Sequence, residues 1–307
     1  YNDYLPIRAN DERSINLKKY IEFVNRNVKA IQFRNYNTVP SKSFYLTDFD
    51  FDENLLPNNL KNYYQDTLIL RIKGNKNGLE KKDLAFLDIL QKGNWKRPIY
   101  FNNTSLNGIG IDLKRHVIQE GFVYKLLPIQ NSSNSSFIDT DKMYDNLMNN
   151  SFWRGLDNEK AYFSEDHRGF IMNYRSNFNT LIRNLINKKR YEDAQIVINK
   201  CLQLMPDKSL MYDHFSVQLV EFLIDLNQKA NFETMELANE IAEITSVRAD
   251  EVLNYYFDEK INNKYEIQRN LVSLNTLARA FSKTNNSDLS RKYRELFEKN
   301  YTKSSVN

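Results

Sequence analysis

The fold is decided by residues 178–206, FNTLIRNLINKKRYEDAQIVINKCLQLMP. In the first half, apolar residues recur at helical spacing from Phe178 to Leu185. In the second half, Ala194 and Cys201 are small, which lets two helices approach closely. Pro206 cannot continue a helix and closes the unit. This spacing matches one tetratricopeptide unit, a hairpin of two helices.

The residues after Pro206 predict a second, degenerate unit. Apolar positions over 215–226 predict its first helix, and those over 237–242 its second. Two further helices, around 266–282 and 288–301, predict a third hairpin or a cap. A helical bundle with short loops that is not a repeat remains the alternative.

Before residue 131 the pattern is mixed. Strand patterns occupy residues 31–33, 43–46, 67–72, 98–101 and 121–127, and helical patterns residues 14–27, with Ser14 as its cap, and 80–91. Because strands alternate with helices, a small sheet covered by helices is the natural packing. We therefore predict an α+β protein, with a small mixed α/β N-terminal domain followed by an all-α tetratricopeptide-like helical hairpin domain. Its parts are the domain 1–130, a linker and bridging helix over 131–167, and the helical domain 168–307.

The composition excludes several classes of protein. The 43 basic and 39 acidic residues are interspersed, so the clustered basic stripe of a nucleic-acid-binding protein is missing. The single cysteine, Cys201, excludes an internal disulfide and a multi-cysteine metal site. No apolar run approaches the roughly 18 residues that span a membrane. Because the numbering starts at Tyr1 rather than at a methionine, we expect a piece cut downstream of whatever targets the whole protein.

Asp48, Asp50 and Asp52 stand at period two and would share one face of a strand, with Phe49 and Phe51 on the other. A calcium loop would need Gly after the third acid, and Glu53 stands there instead. We therefore expect a solvated strand edge over two buried rings, and no metal site.

The histidines His116, His167 and His214 are far apart in sequence, and each has an acid nearby, Asp112, Asp166 and Asp213. None has metal-ligand spacing, and no serine lies in a nucleophile elbow. We expect surface or partly buried polar residues rather than catalytic bases. The sequence thus predicts no catalytic residue and no cofactor.

The most distinctive short segment runs from Trp95 to Phe101, WKRPIYF. Indole, guanidinium and phenol groups together can stack and hydrogen-bond on a sugar or a peptide. The simpler reading is a helix-to-strand connection whose rings pack in the core. The candidate binding residues are Trp95, Lys96, Arg97 and Tyr100, with Glu120 and Tyr124 from the run Gln119–Pro128.

These two runs also carry a family resemblance. Residues 94–101, NWKRPIYF, and 119–128, QEGFVYKLLP, resemble the tail of a bacterial family of uncharacterised multi-pass membrane proteins, whose membrane part is similar to protein O-mannosyltransferases. The opening DYLPIR (3–8), the helix DLAFLDIL (83–90) and NYR (173–175) resemble it too. Phe122 and Lys125 depart from it, since Leu and Arg are expected there.

The resemblance implies an upstream membrane region that holds the catalytic acidic loops. The chain is then a non-catalytic accessory domain on the extracytoplasmic (periplasmic) face of the membrane. Its expected partners are an acceptor protein or glycan and the upstream membrane domain of the same polypeptide, not nucleic acid. Two rival hypotheses stay open. One is a free-standing tetratricopeptide-type adaptor, and the other an enzyme that uses the aspartates or a His–Asp pair.

Overall fold

The protein is α+β, as predicted. A computed structural model describes residues 4–8, 13–284 and 286–306, so Asp3 of the opening DYLPIR lies outside the described residues. The chain divides into two compact units, Tyr1–Met143 and Tyr144–Asn307. The first contains the sheets, and the second is all-helical.

In the described residues of the first unit, the strands form two four-stranded sheets and two small ribbons. The strands are β1 (Tyr4–Pro6), β2 (Ile15–Asn16), β3 (Gln32–Phe33), β4 (Tyr36–Asn37), β5 (Ser43–Leu46), β6 (Leu68–Ile72), β7 (Gly78–Glu80), β8 (Tyr100–Asn102), β9 (Ile111–Asp112), β10 (Val117–Gln119), β11 (Val123–Leu126) and β12 (Phe137–Ile138). The sheet orders are β2-β5-β6-β9 and β12-β10-β11-β8, and the ribbons are β1-β7 and β3-β4. Since β12 pairs in parallel with β10, part of the segment predicted as a linker lies in this unit.

Both four-stranded sheets contribute to one core. In β6 the residues Leu68, Leu70 and Ile72 alternate inward, which is the period of a half-buried strand. The helices α1 (Leu17–Asn25), α2 (Lys81–Gly93) and α3 (Asn103–Gly108) pack their apolar residues on the same core, and α4 (Thr140–Met148) follows. The predicted cap Ser14 is wrong. The Asn16 side chain caps α1 by accepting from the Lys19 N–H at 3.0 Å, whereas the Ser14 hydroxyl hydrogen-bonds to that of Ser43.

A buried carboxylate joins α2 to the loop before β9. Asp83 accepts hydrogen bonds from the Glu80 N–H at 2.9 Å and from the Gly110 N–H at 2.6 Å. A Cβ atom on Gly110 would lie 2.6 Å from the Asp83 carboxylate. Only glycine therefore lets the backbone come close enough for this contact.

The second unit consists of helices joined by short loops. They are α5 (Glu165–Asn187), α6 (Tyr191–Leu204), α7 (His214–Ala230), α8 (Met235–Asp258), α9 (Lys264–Phe281) and α10 (Ser287–Val306). Successive helices pack as the pairs α5/α6, α7/α8 and α9/α10, and α7 also packs against both α5 and α9. Ala194 and Cys201 are buried in this unit, as predicted.

Local signals set the ends of these helices. Ser164 caps α5 by accepting from the His167 N–H, and Asp213 caps α7 by accepting from the Phe215 and Ser216 N–H groups. Asn231 ends α7 in the left-handed conformation, at φ 57°. Among the described residues, no helix is both long and apolar enough to cross a membrane.

The contact between Asp83 and Gly110 yields a stability prediction. Gly110→Ala should destabilise the first unit by about 1–3 kcal/mol, the usual cost of forcing an extra carbon into a packed site. The control is Gly108→Ala, because a Cβ at Gly108 meets nothing within 4 Å. The measurement is urea unfolding followed by Trp95 fluorescence in a Trp153→Phe background. Equal effects of the two substitutions would contradict the prediction.

Candidate functional site

The predicted binding segment begins with a covered tryptophan. Trp95 follows α2 in the left-handed region, at φ 61°, directly after Asn94 at φ 46°. Its ring centroid lies 5.7 Å from those of Phe49 and Phe51. Its Nε1–H is buried and has no hydrogen-bond acceptor within residues 4–8, 13–284 and 286–306. Lys96 and Arg97, which follow, are exposed.

Glu120 and Tyr100, two other predicted binding residues, meet in a polar cluster. The nearly buried Glu120 carboxylate forms an ion pair with Lys142 at 2.8 Å. It also hydrogen-bonds to Tyr100, and burial, followed by the charge of Glu120, raises the pKa of Tyr100. Sequence reasoning did not include Lys142. Tyr124 lies across from Phe101 on β11 and packs on the core, and burial raises its pKa. The contacts of Trp95 are thus with phenylalanines, whereas those of Tyr100 and Glu120 are polar.

The three aspartates do not lie on a strand. β5 ends at Leu46, and residues 47–52 are irregular. Asp48, Asp50 and Asp52 are exposed, and Asp52 caps a 3-10 helix by accepting from the Asn54 N–H. The expectation of a strand edge is therefore wrong, although Phe49 and Phe51 are partly buried on Trp95. Within the described residues, no group of three or more His, Cys, Asp or Glu side chains could hold a metal ion.

The hydrogen bonds and ring contacts found for the three histidines are with groups other than the acids near them in sequence. His116 is buried, its Nδ1 lies 2.6 Å from the Ile129 carbonyl oxygen, and burial lowers its pKa. His167 is exposed and hydrogen-bonds to the Ser164 hydroxyl. His214 stacks on Phe215 at 4.0 Å, and burial lowers its pKa too.

A groove of about 500 Å³ lies within the helical unit. It is lined by the N-terminal turns of α5, α7 and α9, by the C-terminal half of α8 and by the loop before α7. Its charged lining residues are Glu165, Arg168, Arg175, Asp213, Arg248, Glu266 and Arg269, and His214 lines it as well. Its size and mixed lining are typical of a binding site, which makes it the candidate functional site.

Arg175 holds one wall of the groove in place. Its guanidinium is buried and donates to the carbonyl oxygens of Met205, Leu210 and Met211, at 3.1 Å to Met205 and 2.8 Å to Met211. It also forms an ion pair with Asp213 at 3.3 Å. One side chain from α5 therefore fixes the whole connection between α6 and α7.

Arg248 of α8 holds the same connection from the other side. Its guanidinium binds both carboxylate oxygens of Asp207, with 2.6 Å for the second contact. Asp207 also accepts from the Tyr212 N–H at 2.7 Å. Burial tends to raise the pKa of Asp207, but the hydrogen bonds from Arg248 and Tyr212 hold it below its usual value. The connection is thus fixed by two arginines from two different hairpins.

Other polar groups of the groove keep unused hydrogen-bonding capacity. Within the described part of the chain, Arg168 donates its Nε–H alone, to the Phe163 carbonyl, and Arg269 donates to Glu266 at 3.0 Å. Asn270 donates to the Glu266 carbonyl, which leaves its side-chain oxygen without a partner among the residues the structure describes. The groove therefore offers guanidinium donors and amide acceptors beside the apolar side chain of Val252.

Sequence reasoning missed this groove. Arg168 and Arg175 are seven residues apart, a spacing that places both on one face of a helix. That signal was available, but the Arg248–Asp207 pair spans 41 residues and follows only from the packing of the helices.

Comparisons with known proteins concern mainly the first unit. Residues 1–145 match the family model described as TMEM260-associated domain 2. The match covers the first unit and fits a TMEM260-like, O-mannosyltransferase-like family, in line with the resemblance carried by residues 94–101 and 119–128. The first unit is thus similar to an accessory domain of TMEM260-like proteins. Searches of curated proteins and of solved structures found no significant match.

The buried guanidinium of Arg175 yields a second prediction. Arg175→Met should lower the free energy of unfolding of the helical unit by about 3–5 kcal/mol, because it removes the donor to the carbonyls of Met205, Leu210 and Met211 and the ion pair of the buried Asp213 carboxylate. Arg175→Lys should recover little, since one ammonium cannot replace the planar fork. The control is Arg291→Met, at an exposed pair on α10. Urea unfolding is followed by Trp153 fluorescence in a Trp95→Phe background, and equal stability of the Arg175 and Arg291 variants would contradict the prediction.

The pKa of His116 yields a third prediction. Because burial lowers its pKa in the folded state, the unfolded state binds more protons between that value and about 6.5. The stability of the first unit should therefore rise with pH through this window and fall on acidification. His116→Asn, whose amide can still donate to the Ile129 carbonyl, should reduce the slope. Urea unfolding in steps between pH 5 and pH 8 (about one unit either side of the free value) measures it, and an unchanged slope would contradict the assignment.

Proposed function

We propose that this chain is a non-catalytic accessory region of a TMEM260-like membrane protein, and that its helical unit binds a polypeptide segment in the groove. The segment belongs to an acceptor protein or to a protein partner. The family match of residues 1–145 supports the accessory role. A position on the extracytoplasmic face, beside a membrane region of the same polypeptide, rests on the family resemblance alone.

We further propose that the helical unit is tetratricopeptide-like. Three observations support this assignment. The helices pair as consecutive hairpins, the first helices α5, α7 and α9 pack in succession, and Ala194 and Cys201 are buried where close helix approach requires small residues. In repeats of this kind the concave surface that the stacked hairpins create serves as an extended binding surface.

The groove is the observation that carries the binding role. Its volume of about 500 Å³ lies in the range of ligand sites. The two charges of each pair, Arg175–Asp213 and Arg248–Asp207, neutralise each other while they hold the wall of the groove. The described lining of the groove therefore carries no large excess of positive or negative charge. What remains is a mixture of donors and acceptors beside aliphatic side chains. An extended peptide, which has alternating N–H and C=O groups and an apolar side chain to bury, matches that mixture.

Blocking the groove tests the proposal. Val252 lies half-buried in the groove on α8, and Val247, on the same helix, is outside its lining and exposed. An immobilised library of random, acetylated and amidated octapeptides is the probe. The wild-type chain should retain a reproducible subset of peptides, Val252→Trp should lose at least about tenfold of that binding, and Val247→Trp should keep it.

Three outcomes would contradict the proposal: no peptide retained, equal retention by both variants, or sugar transfer by this chain alone. Circular dichroism of both variants provides the folding control. A glycan array run beside the library distinguishes a peptide-binding groove from a glycan-binding one. Selective retention of a glycan that Val252→Trp abolishes would show that the groove binds a glycan and not a peptide.

A further inference from the structure

Residues 47–52, TDFDFD, lie over the tryptophan that sequence analysis singled out. We name this segment the strap. Both its phenylalanine rings contact the Trp95 indole, Phe49 at an interplanar angle of 54° and Phe51 edge-on at 80°. Phe51 also stacks on Tyr64 at 6.2 Å. The strap thus already places aromatic residues, alternating with acids, on the indole.

Trp95 combines a strained backbone with a buried polar group. A bulky aromatic residue at φ 61° is a backbone outlier, and Asn94 before it is left-handed too. The indole N–H is buried and finds no acceptor among the residues that the structure describes, although a buried donor normally has one. Strained backbone and unpaired donors concentrate at binding sites and switch regions, so two such features on one residue point to a functional surface.

Few bonds hold the strap in place. It has no regular secondary structure. Among the described residues, two hydrogen bonds join it to distant parts of the unit, 3.2 Å from Lys18 to the Asp48 carbonyl and 3.3 Å from the Asp50 N–H to the Asn94 side-chain oxygen. The Asp52 carbonyl accepts from the nearby Leu55 N–H at 3.0 Å. The side-chain bonds of Asp48 and Asp52 go to Thr47 and Asn54, within or directly beside the strap. Its contact with Trp95 is therefore mainly the packing of two rings.

The charges around the indole are complementary but unpaired. Asp48, Asp50 and Asp52 of the strap are exposed, and so are Lys96 and Arg97 directly after Trp95. None of these five side chains forms an ion pair in the part of the chain that the structure describes. A segment that places rings on the indole and also brings acids to Lys96 and Arg97 would make contacts that the strap does not make.

We propose that the strap occupies, in cis, a binding surface centred on Trp95, and that the surface accepts a partner polypeptide in which aromatic and acidic residues alternate. The strap indicates which side chains bind this surface, because its phenylalanine rings contact the indole and alternate with aspartates. The partner displaces the strap because it adds ion pairs to Lys96 and Arg97 and an acceptor for the indole N–H. A ligand shifts such an equilibrium only by this difference in affinity. The surface lies in the first unit and is separate from the groove of the helical unit.

The experiment follows peptide binding by the fluorescence of Trp95 itself. The chain has two tryptophans, so Trp153→Phe leaves Trp95 as the sole one. In this background, Phe49→Ala with Phe51→Ala removes the rings of the strap. The probe is the acetylated, amidated peptide LTDFDFDE, residues 46–53. Its controls are LTDADADE, which lacks the rings, and LTNFNFNE, which lacks most of the charge.

The probe should bind the ring-deleted variant saturably, with a blue shift of Trp95 emission and less quenching by acrylamide. Binding should be at least about tenfold weaker for either control peptide, and at least about tenfold weaker to the chain with an intact strap. Lys96→Glu with Arg97→Glu, at two exposed positions, should abolish it. No saturable change of Trp95 emission, or equal affinity for all three peptides, would overturn the proposal.

A second variant keeps the test valid if the ring-deleted chain does not fold. Asn94→Gly removes the acceptor that the Asp50 N–H uses and suits the left-handed backbone at φ 46°. It leaves Phe49 and Phe51 in place. The strap should open more readily in this variant, so the probe should bind several-fold more tightly than to the parent chain, and equal binding would contradict the displaceable strap.

Discussion

The buried guanidinium of Arg175 is the contact on which the helical unit depends. A helical hairpin cannot bury both of its faces alone, so each one must be fixed against the next. The connection from α6 to α7 makes that link, and Arg175 binds three of its carbonyl groups and Asp213 at once. Arg248 reaches the same connection from α8. Because these bonds already fix the loop, the peptide binding that we propose for the groove would cost less ordering entropy.

In the first unit, the alternating pattern of strand β6 and the contact between Asp83 and Gly110 have different roles. Alternating burial along β6 gives the sheet its inner face, and this pattern needs no partner to be recognised. The Asp83–Gly110 contact joins residues 27 apart and requires a glycine only because a carboxylate is buried there. The left-handed Asn94 and Trp95 then turn the chain from α2 towards β8. The position of the candidate surface on Trp95 follows from that turn.

Patterns of side chains predicted the elements better than the sites. Phe178, Ala194 and Cys201 specified a buried hairpin, because periodicity and size act locally. The period-two spacing of Asp48, Asp50 and Asp52 predicts a strand, and this prediction is wrong. The same spacing occurs here in an irregular segment, because its two phenylalanine rings pack on one indole. Lys142, the partner of Glu120, and Asp207, the partner of Arg248, come from distant parts of the sequence. Such pairs are set by packing, so the sequence alone indicates Tyr100 and Glu120 of the polar cluster but neither Lys142 nor the groove.

The most direct test of the binding role of the helical unit is amide hydrogen exchange on the intact chain, with and without the tightest peptide retained from the octapeptide library. A preformed groove predicts slower exchange in the bound chain over residues 165–175, 210–217, 245–256 and 263–273, with the first unit unchanged. Protection confined to other segments, or spread over both units, would contradict a peptide site at the N-terminal turns of α5, α7 and α9.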